Sequence, residues 1–450
     1  MVVLWTDALI YLLLSSVLGL VIYMRKQDHM QRPINKIAQN RVGIAALVIL
    51  VFFIVIGLVD SIHFKPSDTK STEIISVLDF WASNLRDHSE KTYSAPFSTH
   101  LYSKEIMVSP DGVVHWDYPR LSHGGRHIYL PEHQLILDIL KKIAIGLLQG
   151  LVICSLWVVV FLIVRYKVTN KQIAFLSLSP SLKTALLVLV ALISCAYCLV
   201  YLSNYYHVFG TDKVGEDVFY QAIKSIRTGL VLGTLTTLIM LPLAIVFGIL
   251  AGFFGGWVDD VIQYIYTTLN AIPSVLLIAA SILMVQVYMA GHEQEFTSII
   301  VRADTRLLFL CLILGVTNWT GLCRLLRAET LKLREMEYVQ AATSLGVTKA
   351  MILYRHILPN VMHIVLISVV LDFSSLVLAE AVLSYINIGV DATTYSWGNM
   401  INGARLEMAR EPIVWWSLSA AFLFMFTLVL AANLFADTVQ DAFDPRRSLD

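Results

Sequence analysis

Residues 42–59, 143–164 and 184–203 contain no Asp, Glu, Lys or Arg. An α-helix rises 1.5 Å per residue, so about 20 apolar residues cross the hydrocarbon of a bilayer. These three runs therefore predict membrane-spanning helices. Segments near 5–24, 226–252, 264–290, 307–323, 360–380 and 413–436 have the same length and apolar character, which predicts nine spans in all. Composition agrees: 57% of the 450 residues are hydrophobic and 15% are charged. A soluble chain of that size needs more polar residues to cover its surface. The formal net charge is +0, so no bulk field points to nucleic acid as a partner, and lipid is the surface to which the apolar excess must turn.

The first span does not read as a cleaved signal peptide. Asp7 precedes its apolar core and Arg25 and Lys26 follow it, a pattern that suits a retained helix. Lys and Arg then give the orientation. Arg25, Lys26, Arg32, Lys36 and Arg41 lie between spans one and two, and Arg165, Lys167, Lys171 and Lys183 between three and four. Arg324, Arg327, Lys332, Arg334, Lys349 and Arg355 lie between seven and eight, and Arg446 and Arg447 follow span nine. With nine crossings these regions share one side, so the N-terminus is expected outside and the C-terminus in the cytoplasm. The turn Gly255–Asp260 fits least well, since it holds Asp259 and Asp260 and no basic residue.

Residues 61–142 are polar and fall on the outer side. Ile74, Ile75, Leu78, Trp81 and Leu85 form a stripe at helical spacing, and Ser109-Pro110-Asp111-Gly112 reads as a turn between two short strands. A small extracytoplasmic domain of mixed α and β structure is expected. Its histidines, 63, 88, 100, 115, 123, 127 and 133, show no tight ligand spacing and are read as solvated rather than metal-binding. Cys195 and Cys198 form a CxxC, but it sits inside an uncharged run. A structural role is expected there, and no metal is assigned to the chain.

The most informative polar stretch runs from Glu337 to Asn360, EYVQAATSLGVTKAMILYRHILPN. Gly346 is placed to end a helix in the left-handed conformation, Thr348 to cap a second one, and Pro359 to open the next span, where its missing N–H costs nothing. Ala341 and Ala342 make a small-residue patch that admits a close neighbour. The expected product is a helical elbow in the cytoplasm wired into a membrane helix.

This stretch resembles the EAA loop of ABC importer permeases, with its pattern of Glu-Ala-Ala, then Gly, then Ile-x-Leu-Pro. Gln340 stands where that family has Glu and His356 where it often has Ile, while Ala341, Ala342, Gly346, Leu358 and Pro359 match. Gln keeps the length and hydrogen-bonding capacity of Glu without its charge. The box Gly210-Thr211-Asp212-Lys-Val-Gly-Glu-Asp217 is similar to the GTDxxGRDV box of dipeptide, oligopeptide and nickel permeases, with Glu216 in place of Arg. Gly252-Phe-Phe-Gly-Gly-Trp-Val-Asp259, Ala379-Glu380-Ala-Val-Leu-Ser384, Ser396-Trp397-Gly398-Asn399-Met400 and Asp441-Ala-Phe-Asp-Pro-Arg446 follow in the family's order. Together they cover about 205–447 and resemble the dipeptide-permease-C type.

The resemblance implies an all-α membrane protein of the bacterial inner membrane: a type I, MetI-like ABC importer permease core over 184–450. To it are added two N-terminal transmembrane helices (1–60), the 61–142 α+β insertion, and a further helix with its loop (143–183). It implies that Glu337, Gln340, Ala341, Ala342, Gly346, Leu358 and Pro359, within the cytoplasmic loop 324–359, couple the chain to ATPase subunits. The implied partners are a second permease, two ATPase subunits that carry the ATP and Mg, a periplasmic binding protein and a peptide substrate. Dipeptide, longer peptide, nickel chelate and antimicrobial peptide all remain open as substrates. The chain itself shows no nucleotide motif. Its Gly248–Gly256 run lacks a GK[ST] ending and is expected to serve close helix packing. Asp372 and Glu380 are candidate pathway or gate residues, because acids within a membrane are costly, and Asn318 is a further candidate, though as a polar residue it more often satisfies a local bond. Asp372 faces either the pore or a neighbouring helix. The alternative is a proton-coupled secondary transporter using such acids, which would need no elbow; a sensory or scaffold protein carrying the 61–142 domain is a further one.

Overall fold

The computed structural model describes residues 3–24, 28–65, 74–108, 114–128, 131–169, 179–292 and 298–443. They divide into two compact units. One is built from Asn35–Thr228 and Tyr395–Phe435, the other from Val3–Ile34, Gly229–Thr394 and the chain from Ala436. In order, the chain forms α1 (Trp5–Met24), α2 (Asp28–Gln39) and α3 (Arg41–Asp60). The segment expected on the outer side, called the outer segment below, has β1 (His63–Phe64), β2 (Ile75–Ser76), α4 (Val77–Trp81), α5 (Ser83–Asp87), β3 (Glu105–Val108) and β4 (Val114–Asp117). Long helices follow: α6 (Pro131–Thr169), α7 (Pro180–Ser203), α8 (Val218–Phe254), α9 (Gly256–Ala271), α10 (Ser274–Gly291) and α11 (Ile299–Arg334). The remainder is α12 (Glu337–Ser344), α13 (Lys349–Ile352), a π-turn (Leu353–Ile357), α14 (Leu358–Tyr385), α15 (Trp397–Glu407) and α16 (Trp416–Phe443).

Among the described residues, seven helical stretches are long and apolar enough to cross a membrane: Arg41–Asp60, Gln134–Val160, Pro180–Ser203, Val218–Phe254, Ser274–Gly291, Lys349–Tyr385 and Trp416–Phe443. The chain is thus a multi-pass membrane protein. The other two expected spans are also helical: 5–24 coincides with α1, and 307–323 is the apolar middle of α11. The expected span at 264–290 needs correction, because it is two helices. Ile272 is extended (φ −90°, ψ 130°) ahead of Pro273, and α10 begins after it. Proline lacks the N–H that a helix interior needs and pushes its predecessor out of helical geometry.

In the first unit, α7 packs against α3 and α6. Small residues bring α6 and α7 together: a Cβ at Gly150 would lie 2.9 Å from Ser194 Cα, and one at Gly146 3.2 Å from Cys198 Cα. Asn40 caps α3, accepting bonds from the amides of Val42 (2.9 Å) and Gly43 (3.2 Å). In the outer segment β1 pairs with β2 and β3 with β4, both antiparallel. The two expected strands are present; the turn at Ser109–Gly112 lies outside the described residues. The expected apolar helical stripe is corrected. Ser76 forms a capping box with Asp79, so the helix starts only after Ile74 and Ile75, and it breaks again at Ala82. Leu85 is buried, while Trp81 is 73% exposed. Nor are all the outer histidines solvated: His63 is buried, and the rings of His88 and His123 stack at 4.0 Å.

The second unit centres on α11. Helix α1 packs against it, with Leu9 and Ile10 beside a core of Leu307, Leu310, Leu314 and Leu383. The buried Thr6 donates from its amide to Asp304 Oδ2 (3.3 Å) and from its hydroxyl to Oδ1. On the other side of α11, the Gly248–Gly256 run does serve close packing. A Cβ at Gly248 would meet Cys323 O at 2.8 Å, and one at Gly252 would meet Thr330 Cβ at 2.6 Å.

Candidate functional site

The elbow forms as a short helix, a left-handed break and a second helix. Gly346 takes φ +77°, and among the described residues nothing beyond its chain neighbours lies within 4 Å of where its Cβ would be. The reversal is therefore a backbone requirement rather than a packing one. Thr348 occupies the N-cap position of α13 in extended geometry (φ −62°, ψ 142°), but its side chain makes no cap bond, which corrects the expected role of its hydroxyl. Pro359 lies in the first turn of α14, directly after the π-turn. A proline ring would crowd the carbonyl four residues back, here Arg355, and the wider π-turn relieves that clash.

The elbow has an inner and an outer face. Val339, Ala342, Ile352 and Ile357 are buried in one cluster with Leu326, Leu333, Val361 and Val365, and Leu358 packs against it. Ala342 is thus turned inward, while Ala341 faces out. Glu337, Gln340 and Pro359 are exposed, and Gln340 Nε2 donates to Glu335 O at 3.2 Å. The most prominent apolar residue is Leu345, at the break and 83% exposed, followed by Tyr354 at 73%. Neither stood out in the sequence, because a single leucine or tyrosine in a helical pattern gives no sign of which way it points.

The Gly252–Asp259 box anchors this elbow. Arg327 on α11 binds Asp259 through Nε–Oδ1 (2.6 Å) and Nη2–Oδ2 (2.7 Å). These bonds hold the Asp259 carboxyl below its usual range. Arg334 Nη1 donates to Phe253 O (3.4 Å), and Lys349 Nζ sits 5.4 Å from the centroid of the Phe254 ring. The apparently base-free turn at Gly255–Asp260 therefore has its bases supplied from α11.

The Gly210 and Ser396 boxes belong to the other unit, where both flank the first turns of α8. Gly210 is left-handed (φ +69°) and its neighbour Thr211 accepts at its carbonyl from Trp416 Nε1 (2.9 Å). Asp212 Oδ1 accepts from the amides of Val214 (2.9 Å) and Glu216 (3.0 Å), and Asp217 caps α8 through the amides of Phe219 (2.8 Å) and Tyr220 (3.2 Å). Trp397 is buried and donates to Ala222 O (3.1 Å). Gly398 is buried beside it, and Asn399 donates its amide to the Ser396 cap (3.0 Å). In the described residues of its box, Asp441 and Phe443 close α16; Asp444, Pro445 and Arg446 lie outside them.

Two of the three candidate pathway residues bond within their own helices. Glu380 is buried and accepts from Ser384 Oγ at 2.7 Å, one turn along its own helix. Asn318 Nδ2 donates to Leu314 O at 2.8 Å, also within its own helix. Asp372 is partly buried on α14, next to Phe373, whose ring crowds Gly233 (2.6 Å to a Cβ there). Among the described residues no group of three His, Cys, Asp or Glu is arranged to hold a metal ion.

Residues 244–449 match the family described as binding-protein-dependent transport system inner membrane component. The chain is 31% identical over 244 residues to the dipeptide transport system permease protein DppC of Lactococcus lactis subsp. cremoris (strain MG1363), a stretch that is 54% of this chain and 65% of that one. It is 30% identical over 240 residues to the oligopeptide transport system permease protein OppC of Bacillus subtilis (strain 168), covering 53% of this chain and 72% of that one. Against the dipeptide transport system permease protein DppC of the same strain the figures are 30%, 53% and 69%.

Proposed function

The chain belongs to the family of binding-protein-dependent transport system inner membrane components, and on that premise we propose that it is the transmembrane permease subunit of an ATP-driven importer of di- or oligopeptides. It forms the translocation pathway with a second permease. A binding protein delivers substrate from outside, and two ATPase subunits bind and hydrolyse the nucleotide. The chain is the non-catalytic member of that assembly.

The observation that carries this reading is the elbow itself. Residues 337–359 present Leu345, Ala341 and Tyr354 outward on a frame whose inner face is packed into α11 and α14. A push on the outer face therefore moves membrane helices rather than a loose loop. ATP-driven closure of the ATPases drives the elbows, and the helices alternate between outward- and inward-open states. The peptide class rests on the names of the relatives.

Uptake decides the matter. A strain lacking the permease, complemented with this chain and its partners, should recover uptake of labelled di- or oligopeptides, and depletion of ATP should abolish it. Uptake that persists without ATP on a proton gradient would favour a secondary transporter. Recovery of nickel uptake without peptide uptake would sink the substrate class.

A further inference from the structure

The outer segment is fastened to the head of α8 by a buried group that the importer function leaves unused. Asp217, the cap of α8, directs its second oxygen to His207 Nδ1 at 2.7 Å. On the far side of the ring, His207 Nε2 lies 3.4 Å from Glu90 Oε1. Glu90 is itself held in the outer segment. Its carboxylate accepts from the amide and hydroxyl of Ser122 and from the amide of His123, each at 2.9 Å, and its own amide donates to Gly215 O (2.9 Å). Gly215 is left-handed (φ +83°), and a Cβ there would fall 1.9 Å from Glu90 O, so the two strands of chain touch without room for a side chain.

The chemistry fixes the state of the ring. Two buried carboxylates face one imidazole, one at each nitrogen, so both nitrogens must carry hydrogen for both contacts to be bonds. Burial alone would discharge the ring, but Asp217 and Glu90 outweigh it and push His207 up to about 9. Burial likewise opposes ionisation of Glu90, yet the His207 ring and the Ser122 and His123 groups bring its carboxyl down to about 2. The other titratable groups at the ring are His123, edge-on at 5.6 Å, and His88 stacked upon it. Burial holds His123 below its ordinary value.

We propose that His207 is a positioning residue of the transport cycle: bonded to Glu90 and Asp217 at once, its imidazolium clamps the stretch that carries Glu90, Ser122 and His123 onto the first turn of α8, and stimulation of the transporter by its binding protein needs that clamp closed. The sign follows from linkage. A histidine raised on folding contributes fully below its unfolded value of 6.5 and loses the contribution as pH rises through about 9. The clamp therefore opens in alkali. The same contribution from Glu90 is present above 4.5 and lost only as pH falls through about 2.

The role rests on the importer reading; the clamp does not, and two measurements separate them. In the first, the purified chain is exposed to limited proteolysis between about pH 7 and 10. Cleavage within 61–128 should rise through about pH 9 in the wild type. In Glu90→Gln, which leaves the ring one carboxylate, it should rise about one unit lower. A wild-type profile that is flat over this range, or one that Glu90→Gln leaves in place, overturns the clamp. In the second, the assembled complex is assayed with and without binding protein over the same range. The stimulated increment should fall along the same limb, shift down in Glu90→Gln, and be small and independent of pH in His207→Gln. If proteolysis shifts and the stimulated increment does not, the clamp stands and its role in the cycle is overturned. If no ATP hydrolysis is stimulated at any pH, the importer reading falls, and proteolysis still judges the clamp.

Discussion

Arg327 grips Asp259 with both arms of its guanidinium, at 2.6 and 2.7 Å, and so ties the end of α11 to the start of α9. A two-point pair of this kind fixes direction as well as distance. Asp259→Asn and Arg327→Gln should each destabilise the chain by about 1–3 kcal/mol. Thermal unfolding of both single variants and the double variant gives a cycle. The double variant should be little worse than either single one, whereas additive losses would mean that the two residues act separately. Because the folded chain holds the Asp259 carboxyl below its ordinary 3.8, its contribution is present above that pH and fades as pH falls through the lowered value.

The approach of α8 to α11 gives a second expectation. A methyl at Gly252 would meet Thr330 Cβ at 2.6 Å and Arg327 O at 2.7 Å, and the latter is backbone that cannot step aside. Gly252→Ala should therefore force the helices apart and cost about 1–3 kcal/mol by overpacking. Gly256→Ala makes a useful contrast, since among the described residues nothing beyond its own stretch of chain lies within 4 Å of the added Cβ. Its cost is only that of a side chain at φ +55°, about 1–2 kcal/mol, and it should leave helix contacts intact. Unfolding midpoints together with cross-linking between cysteines placed on α8 and α11 distinguish the two. Equal cross-linking in both variants would refute the close-packing account.

What could be read in the sequence was whatever a short stretch settles by itself. The uncharged runs at 42–59, 143–164 and 184–203 are helices because no other backbone satisfies its own polar groups in lipid. Gly346 is left-handed because few other residues tolerate that conformation. The break at Pro273 was also present locally, but the apolar run continues through it, and hydropathy averages across a single residue. Pairings between distant parts left no mark. Tyr93 bonds Glu407 (3.1 Å) and Thr211 bonds the Thr92 carbonyl (2.8 Å), so this segment is built onto the Gly210 box and the end of α15. No periodicity in either stretch announces the other. The division of Ala341 from Ala342 into outer and inner neighbours was likewise decided by what α11 and α14 place behind the elbow.

Sidedness turns on α11. Its ends carry Arg302, Asp304 and Arg306 on one side and Arg324, Arg327, Lys332 and Arg334 on the other, around an apolar middle at 307–323. If that middle crosses the membrane, the outer hairpin and the elbow lie on opposite sides; if it does not, they share one. In a background with Cys154, Cys195, Cys198, Cys311 and Cys323 replaced, single cysteines at His115 and Thr343 should react differently with a membrane-impermeant maleimide. His115→Cys is expected to label in intact cells and Thr343→Cys only after permeabilisation. Labelling of both from outside would remove the nine-span arrangement.

Leu345 and Gly346 are neighbours with different duties, and separating them tests the elbow. The Leu345 side chain is an apolar residue held 83% exposed beside the left-handed turn. Leu345→Asp should leave folding and insertion unchanged, since it removes no internal packing, and should weaken co-purification of the ATPase subunits at least tenfold, the equivalent of about 1.4 kcal/mol. Gly346→Val acts from within. Its side chain would meet no neighbour, but a β-branched residue at φ +77° is a strained outlier, with a cost of at least about 1–2 kcal/mol. The chain can relieve that strain only by re-aiming α13. Gly346→Val should therefore still bind ATPase subunits while losing ATP hydrolysis stimulated by the binding protein, whereas Gly346→Asn, a residue that tolerates the left-handed region, should retain most of it. The comparison of Val with Asn is the discriminating one, because both add a side chain and only one resists the turn. If both variants keep full stimulation, or if both lose it equally, the left-handed break at Gly346 is not what transmits motion through residues 337–359.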